Sequence, residues 1–137
     1  DIGKVGVSDA ILCKEDKLTE EEFAVIRRHP EIGGKILSCI DMFHNLGEIV
    51  RAHHERIDGR GYPDGLRGEQ IPPEARMISI ADAFDAMMSD RHYRKRLSLA
   101  KAKEELEAGK GTQFDAGLVE VFLELIANGE LGELEGT

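Results

Sequence analysis

From Asp58 to Gly68 the chain reads Asp-Gly-Arg-Gly-Tyr-Pro-Asp-Gly-Leu-Arg-Gly, and four glycines with a proline in so short a run exclude regular structure there. The run demands an ordered, tightly turned loop. Outside it helical signals recur and long period-two alternation is missing, so the expected fold class is all-α. Thr19 followed by Glu20, Glu21 and Glu22 offers a capping box for a helix carrying Phe23, Val25 and Ile26. That helix is expected to run to about His29, with a break at Pro30 and a short second helix over Glu31 to Leu37. Leu46, Ile49, Val50, His53 and Ile57 lie on one face of a further helix. After the loop, Pro72 and Pro73 suit only a helix start, and the helix they open is expected to present Ile78, Ala81, Asp82, Asp85 and Met88 near one face. Ser98 and Asp115 cap two final helices that stop at Gly109 and near Gly129.

A length of 137 residues suits one domain, with one core serving residues 1–137. The formal net charge of -9 argues against polymeric nucleic acid or an anionic membrane as the main partner. A small anionic substrate needs only a local cationic patch. Residues 91–96, Arg-His-Tyr-Arg-Lys-Arg, offer one, although most charge runs are simply solvated. Cys13 and Cys39 have neither disulfide-framework nor zinc-knuckle spacing, and no apolar run reaches the ~18 residues of a membrane span. A reducing cytoplasm is the expected location, without membrane contact by this domain.

Chemistry concentrates in His53-His54, two adjacent imidazoles at a helix end that point about a hundred degrees apart and so suit a site with more than one metal. Taken alone, a histidine on an apolar face is more often a core residue. His29 faces the core side of its helix, where a metal ligand and a C-terminal cap on the helix dipole are equal alternatives. Asp82, inside an apolar face, adds a hard oxygen donor unless it accepts from a backbone or arginine donor. Imidazole and carboxylate without thiolate favour iron or manganese, with nickel or zinc as further candidates. Paired ions can bridge a hydroxide and clamp the attacking and leaving oxygens of a displacement at phosphorus. No Gly-x-Ser-x-Gly elbow or P-loop competes with that reading.

Asp1-Ile2-Gly3-Lys4, Arg28-His29-Pro30, His53-His54-Glu55-Arg56, Gly59-Arg60-Gly61-Tyr62-Pro63, Ala81-Asp82 and Ser89-Asp90-Arg91 together resemble the ordered motifs of HD-GYP domains. These are all-helical HD-type metal-dependent phosphohydrolases that typically hydrolyse cyclic di-GMP to pGpG or on to GMP. The resemblance implies an HD-domain-like helical bundle with an ordered Gly-Tyr-Pro loop and two or three divalent metal ions. It implies that Asp1, His29, His53, His54 and Asp82 are metal ligands, that Asp1 is the aspartate of the His-Asp pair and bridges ions, and that Lys4 approaches the scissile phosphate. Arg91 and Arg94 resemble residues that hold substrate phosphates, and His92 stands where the family usually has proline. A histidine is expected directly before Asp1, with further ligand-bearing helices upstream. The resemblance also implies an upstream sensory or receiver domain and contact of the Gly-Tyr-Pro loop with diguanylate cyclase (GGDEF) domains.

The function expected is therefore hydrolysis of cyclic di-GMP by a metal-bridged hydroxide. The rival expectation is a degenerate module that binds nucleotide or a diguanylate cyclase partner without cutting. Every ligand position within the chain is filled, which favours the enzyme.

Overall fold

The structure, a computed structural model, describes residues 1–14, 16–90 and 95–131. Helices account for the regular structure of these residues, and there is no strand among them. In chain order they are α1 (Asp9–Leu12), α2 (Glu20–Ile26), α3 (His29–Ser38), α4 (His44–Ala52), α5 (Pro73–Met88), α6 (Leu99–Gly109) and α7 (Ala116–Ala127), with 3-10 turns at Ile2–Gly6, Asp41–Phe43 and Gly68–Gln70. The all-α expectation holds.

The caps lie where the sequence puts them. Thr19 Oγ1 accepts the Glu22 N–H at 3.2 Å while Glu22 Oε2 accepts the Thr19 N–H at 2.8 Å, closing the capping box of α2. Ser98 accepts from Lys101 N–H and Asp115 from Leu118 N–H, starting α6 and α7. The break before α3 is real but comes earlier than expected. α2 ends at Ile26 and α3 begins at His29, with Pro30 inside its first turn, where no intrahelical donor is needed. α4 likewise ends at Ala52, so Ile57 lies beyond it in the irregular segment.

Apolar burial is divided between two clusters. The larger joins Ile80 and Phe84 of α5 with Ala102, Leu106, Phe114, Val119 and Ile126. The smaller joins Ala52, Ile71 and Ala75 under the loop residues Ile57 and Leu66. α5 contributes to both, and its buried residues are Ala75, Ile80 and Phe84. The face expected for α5 is therefore corrected: Ile78 is 41% exposed, Ala81 and Asp85 are exposed, and Asp82 sits half-buried beside the apolar stripe. A carboxylate at the stripe's edge avoids the desolvation that a central position would impose.

Candidate metal centre

The 3-10 turn at Ile2–Gly6 lies against the first turn of α3. A Cβ on Gly3 would overlap the His29 carbonyl oxygen, so only glycine permits this approach. The contact sets Asp1 beside His29, with Asp1 Oδ1 3.4 Å from His29 Nε2, while Lys4 Nζ donates to Asp1 Oδ2 at 2.7 Å. From the other side, α4 stops at Ala52, and His53 caps it with His54 in the following turn.

His29 and His53 are 2% and 5% exposed. His29 Nδ1–H donates to the Ile26 carbonyl at 2.8 Å, and His53 Nδ1–H donates to the Val50 carbonyl. A carbonyl only accepts, so these bonds fix the tautomer and leave an Nε2 lone pair on each neutral ring. The two Nε2 atoms face each other at 3.4 Å. Two lone pairs held that close repel unless a cation or proton lies between them.

Burial holds all three histidines below the ordinary imidazole range: His29 and His53 are lowered, and His54, also repelled by the charge of His53 and His29, falls to about 3. They are neutral at pH 7, the form that binds metal. One ligand atom from each of Asp1, His29, His53 and His54 lies within 4.8 Å of the others. Opposed ligands on one ion with bonds of about 2.1 Å are about 4.2 Å apart, so a small contraction suffices. Imidazoles anchored through Nδ1 to main-chain carbonyls, with one carboxylate, make a donor set that fits a divalent cation.

The cluster opens onto a cavity of about 420 Å³ lined by His53, His54, Tyr62, Arg27, Arg60, Ser79, Asp82 and Gln113. Asp82 faces it from α5 and acts electrostatically on His53, although it is not among the four residues with clustered ligand atoms. The Tyr62 ring stacks on His54 with centroids 5.0 Å apart and planes at 27°.

The loop carrying Tyr62 is held by Glu55. This carboxylate is 3% exposed and accepts three backbone N–H bonds, from Asp64 at 2.6 Å, Gly65 at 3.0 Å and Leu66 at 3.0 Å. Gly61 packs so tightly on the Glu55–Arg56 backbone that a Cβ would overlap it, and the Tyr62–Pro63 peptide is cis. Arg51 clamps Asp64 with two bonds of 2.7 Å.

The structure thus gathers Asp1, Lys4, His29, His53 and His54, with Asp82 on the adjoining wall. His29 stands at the start of α3 and not at the end of α2, which corrects the helix-dipole alternative; its ring nevertheless bonds the last carbonyl of α2. Because the helix ends before them, His53 and His54 do not fan apart: their ring centroids are 4.1 Å apart. Arg91 and Arg94 lie outside the described residues. Sequence reasoning gave Glu55 and Arg60 no role beyond membership of a motif and passed over Arg27. Glu55 was accessible through the question of what accepts the free N–H groups of so irregular a loop.

The HD domain family matches residues 1–118. The cyclic di-GMP phosphodiesterase response regulator of Xanthomonas campestris is 45% identical over 125 residues, covering 90% of this chain and 33% of that protein. A 3'3'-cGAMP-specific phosphodiesterase of Vibrio cholerae is 42% identical over 126 residues, covering 90% and 24%. The chain therefore spans a third or less of the length of these relatives. The crystal structure of a cyclic GMP-AMP specific phosphodiesterase of V. cholerae superposes with a TM-score of 0.68 at 20% identity, over 98% of this chain and 35% of that one, a likeness of fold. No helix among the described residues is long and apolar enough to cross a membrane. With a histidine and aspartate cluster suited to divalent metal, an ordered Gly-Tyr-Pro loop and this match over most of its length, the chain belongs to the HD domain family, in its HD-GYP branch.

Proposed function

We infer that the chain forms the metal-binding and substrate-binding part of a phosphodiesterase that hydrolyses cyclic di-GMP to pGpG or GMP. The convergence of Asp1, His29, His53 and His54 beside a cavity of about 420 Å³ carries this reading. The names of the relatives support a cyclic dinucleotide as the substrate class.

Asp1, His29, His53, His54 and Asp82 would hold two or three divalent ions, iron or manganese in preference to nickel or zinc, because no thiolate is present. Such ions supply a water nucleophile at neutral pH and neutralise charge on phosphorus. The chain's own residues do the rest. Burial keeps the three imidazoles neutral, so no proton must leave them before they ligate. Lys4, which pairs with Asp1, would turn its ammonium to the phosphate and stabilise charge in the transition state. Arg91 and Arg94 hold substrate phosphates, as the family resemblance implies. The water oxygen bonds to phosphorus, the ribose oxygen leaves, and the proton passes to that oxygen. No covalent enzyme intermediate is needed. The Gly-Tyr-Pro loop, fixed from within by Glu55, keeps its outer edge for a diguanylate cyclase partner.

The test is metal analysis with a cyclic di-GMP hydrolysis assay on the manganese-loaded protein and on Asp82→Ala and His53→Ala variants. Each variant should lose activity by more than the ~100-fold typical of losing an outer-shell partner. Wild-type turnover in Asp82→Ala would refute the assignment of that carboxylate, and turnover in both variants would refute the metal site.

A further inference from the structure

Three arginines line the cavity beside the histidines, and they differ in how their charge is met. The Arg56 guanidinium is neutralised by Asp58 at 2.8 Å. Neither Arg27 nor Arg60 closes a salt bridge among the described residues, Arg60 feeling Asp58 only at longer range, in a chain whose formal net charge is -9. With so many acids available, two guanidinium groups that line one cavity without a salt bridge form a local anion site.

Both are positioned. The Arg27 guanidinium lies over the Phe23 ring at 4.8 Å and the Tyr62 ring at 5.1 Å, contacts that restrain where its charge sits. Tyr62 in turn stacks on His54, which ties Arg27 to the metal cluster through one aromatic contact. Arg60 is fixed through its backbone: its N–H donates to Asp58 Oδ1 at 3.0 Å, and the neighbouring Gly61 is pressed onto the Glu55–Arg56 backbone.

We propose that Arg27 and Arg60 form a second phosphate subsite, which holds the phosphodiester of the cyclic dinucleotide that is not being cut. This rests on the cyclic-dinucleotide reading above. A cyclic dinucleotide carries two phosphodiesters in one covalent ring, so placing one at the histidine cluster delivers the other to a fixed position across the ring. A guanidinium fork matches phosphate oxygens in geometry and charge. The cavity, about 420 Å³, falls in the usual range for small-molecule sites. This subsite is separate from the run containing Arg91 and Arg94, and it favours substrates with two phosphates over simple phosphodiesters.

Equilibrium binding of cyclic di-GMP to the full chain loaded with Mn²⁺, at low and at high salt, tests the proposal with Arg27→Ala, Arg60→Ala, the double variant and the two lysine variants. Each alanine change should weaken binding about tenfold, as loss of a charge-assisted hydrogen bond does. The dependence on salt should become shallower, the lysine variants should recover part of the loss, and in the hydrolysis assay the loss should fall on KM more than on kcat. Both side chains are exposed, so melting temperatures should stay at the wild-type value. Unchanged affinity in the double variant overturns the subsite. Weaker binding with unchanged salt dependence overturns it too, assigning the arginines to stacking on a base. If wild type binds and hydrolyses cyclic di-GMP while the double variant matches it, only the subsite fails. If wild type does not bind cyclic di-GMP, the substrate reading fails with it.

Discussion

Between Ile80 and Ile126 the chain buries seven apolar side chains against one another, and no wholly buried side chain there is polar among the described residues. Between His29 and Glu55 it buries two histidines and a carboxylate, while the apolar cluster of that half has only three fully buried members. The C-terminal helices gain stability from area removed from water. The N-terminal half gives up part of that gain to keep lone pairs and a carboxylate out of water. Its two polar devices differ as well: Glu55 has its partners in the loop N–H groups, whereas the Nε2 atoms of His29 and His53 face each other at 3.4 Å. One satisfied site shapes the loop. The other is left for chemistry.

The largest effect expected from this contrast is in the apolar half. Leu106 is 0% exposed and packed in the larger cluster, so Leu106→Ala should cost about 3 to 5 kcal/mol in urea unfolding, by lost transfer energy and the cavity left behind. Adding Mn²⁺ should not restore that loss in proportion, since the ligands lie in the other half. A cost under about 1 kcal/mol would mean that α5 to α7 do not depend on this cluster and would break the comparison.

A smaller and more local effect is expected at Glu55. Glu55→Ala leaves the N–H groups of Asp64, Gly65 and Leu66 without their acceptor, a loss of about 1 to 3 kcal/mol. Hydrogen exchange should quicken at those three amides and around Tyr62, with α6 and α7 keeping their protection. Catalytic efficiency should fall with the loop, because Tyr62 supports His54 through stacking. Persistent protection of the three amides in the variant would show that Arg51, which clamps Asp64, holds the loop by itself.

What the sequence disclosed follows the range of the interactions concerned. The caps at Thr19, Ser98 and Asp115 are formed within three residues and were legible from spacing. The turned loop was legible because its glycines leave no alternative, and Gly59, Gly65 and Gly68 do adopt positive φ. The clustered Asp1, His29, His53 and His54 were legible mainly through ordered motifs, since Asp1, His29 and His53 meet only when three separate elements pack. The phase of α5 misled because Asp82 was placed at the centre of a buried face, while Ala75, Ile80 and Phe84 form that face. Periodicity finds a helix but does not say which side of a mixed stripe turns inward. Arg27 and Arg60 were given no role from the sequence because a guanidinium without a salt bridge is recognised only after the ion pairs are seen elsewhere.

The smallest effect, and the one that separates the two halves most cleanly, is the pH dependence of the metal-free protein. An unfolded histidine takes up a proton near pH 6.5, whereas burial lowers His29 and His53 and brings His54 to about 3. Between those values the unfolded chain binds more protons than the folded one, so stability is complete above pH 6.5 and is lost as pH falls toward about 3. Asp58 acts in a lower window: hydrogen-bonded to Arg56, it titrates at about 2, and its contribution is lost only below the usual aspartate value of 3.8. A decline in melting temperature already between pH 6.5 and 4.5 therefore belongs to the histidines. His54→Asn, which cannot titrate, should flatten it, and saturating Mn²⁺ should oppose it by competing with protons for the same nitrogens. Hydrogen exchange over the same range should show residues 29–66 loosening before α6 and α7. Simultaneous loosening of both halves would mean that α5, which contributes to both apolar clusters, couples them into one cooperative unit.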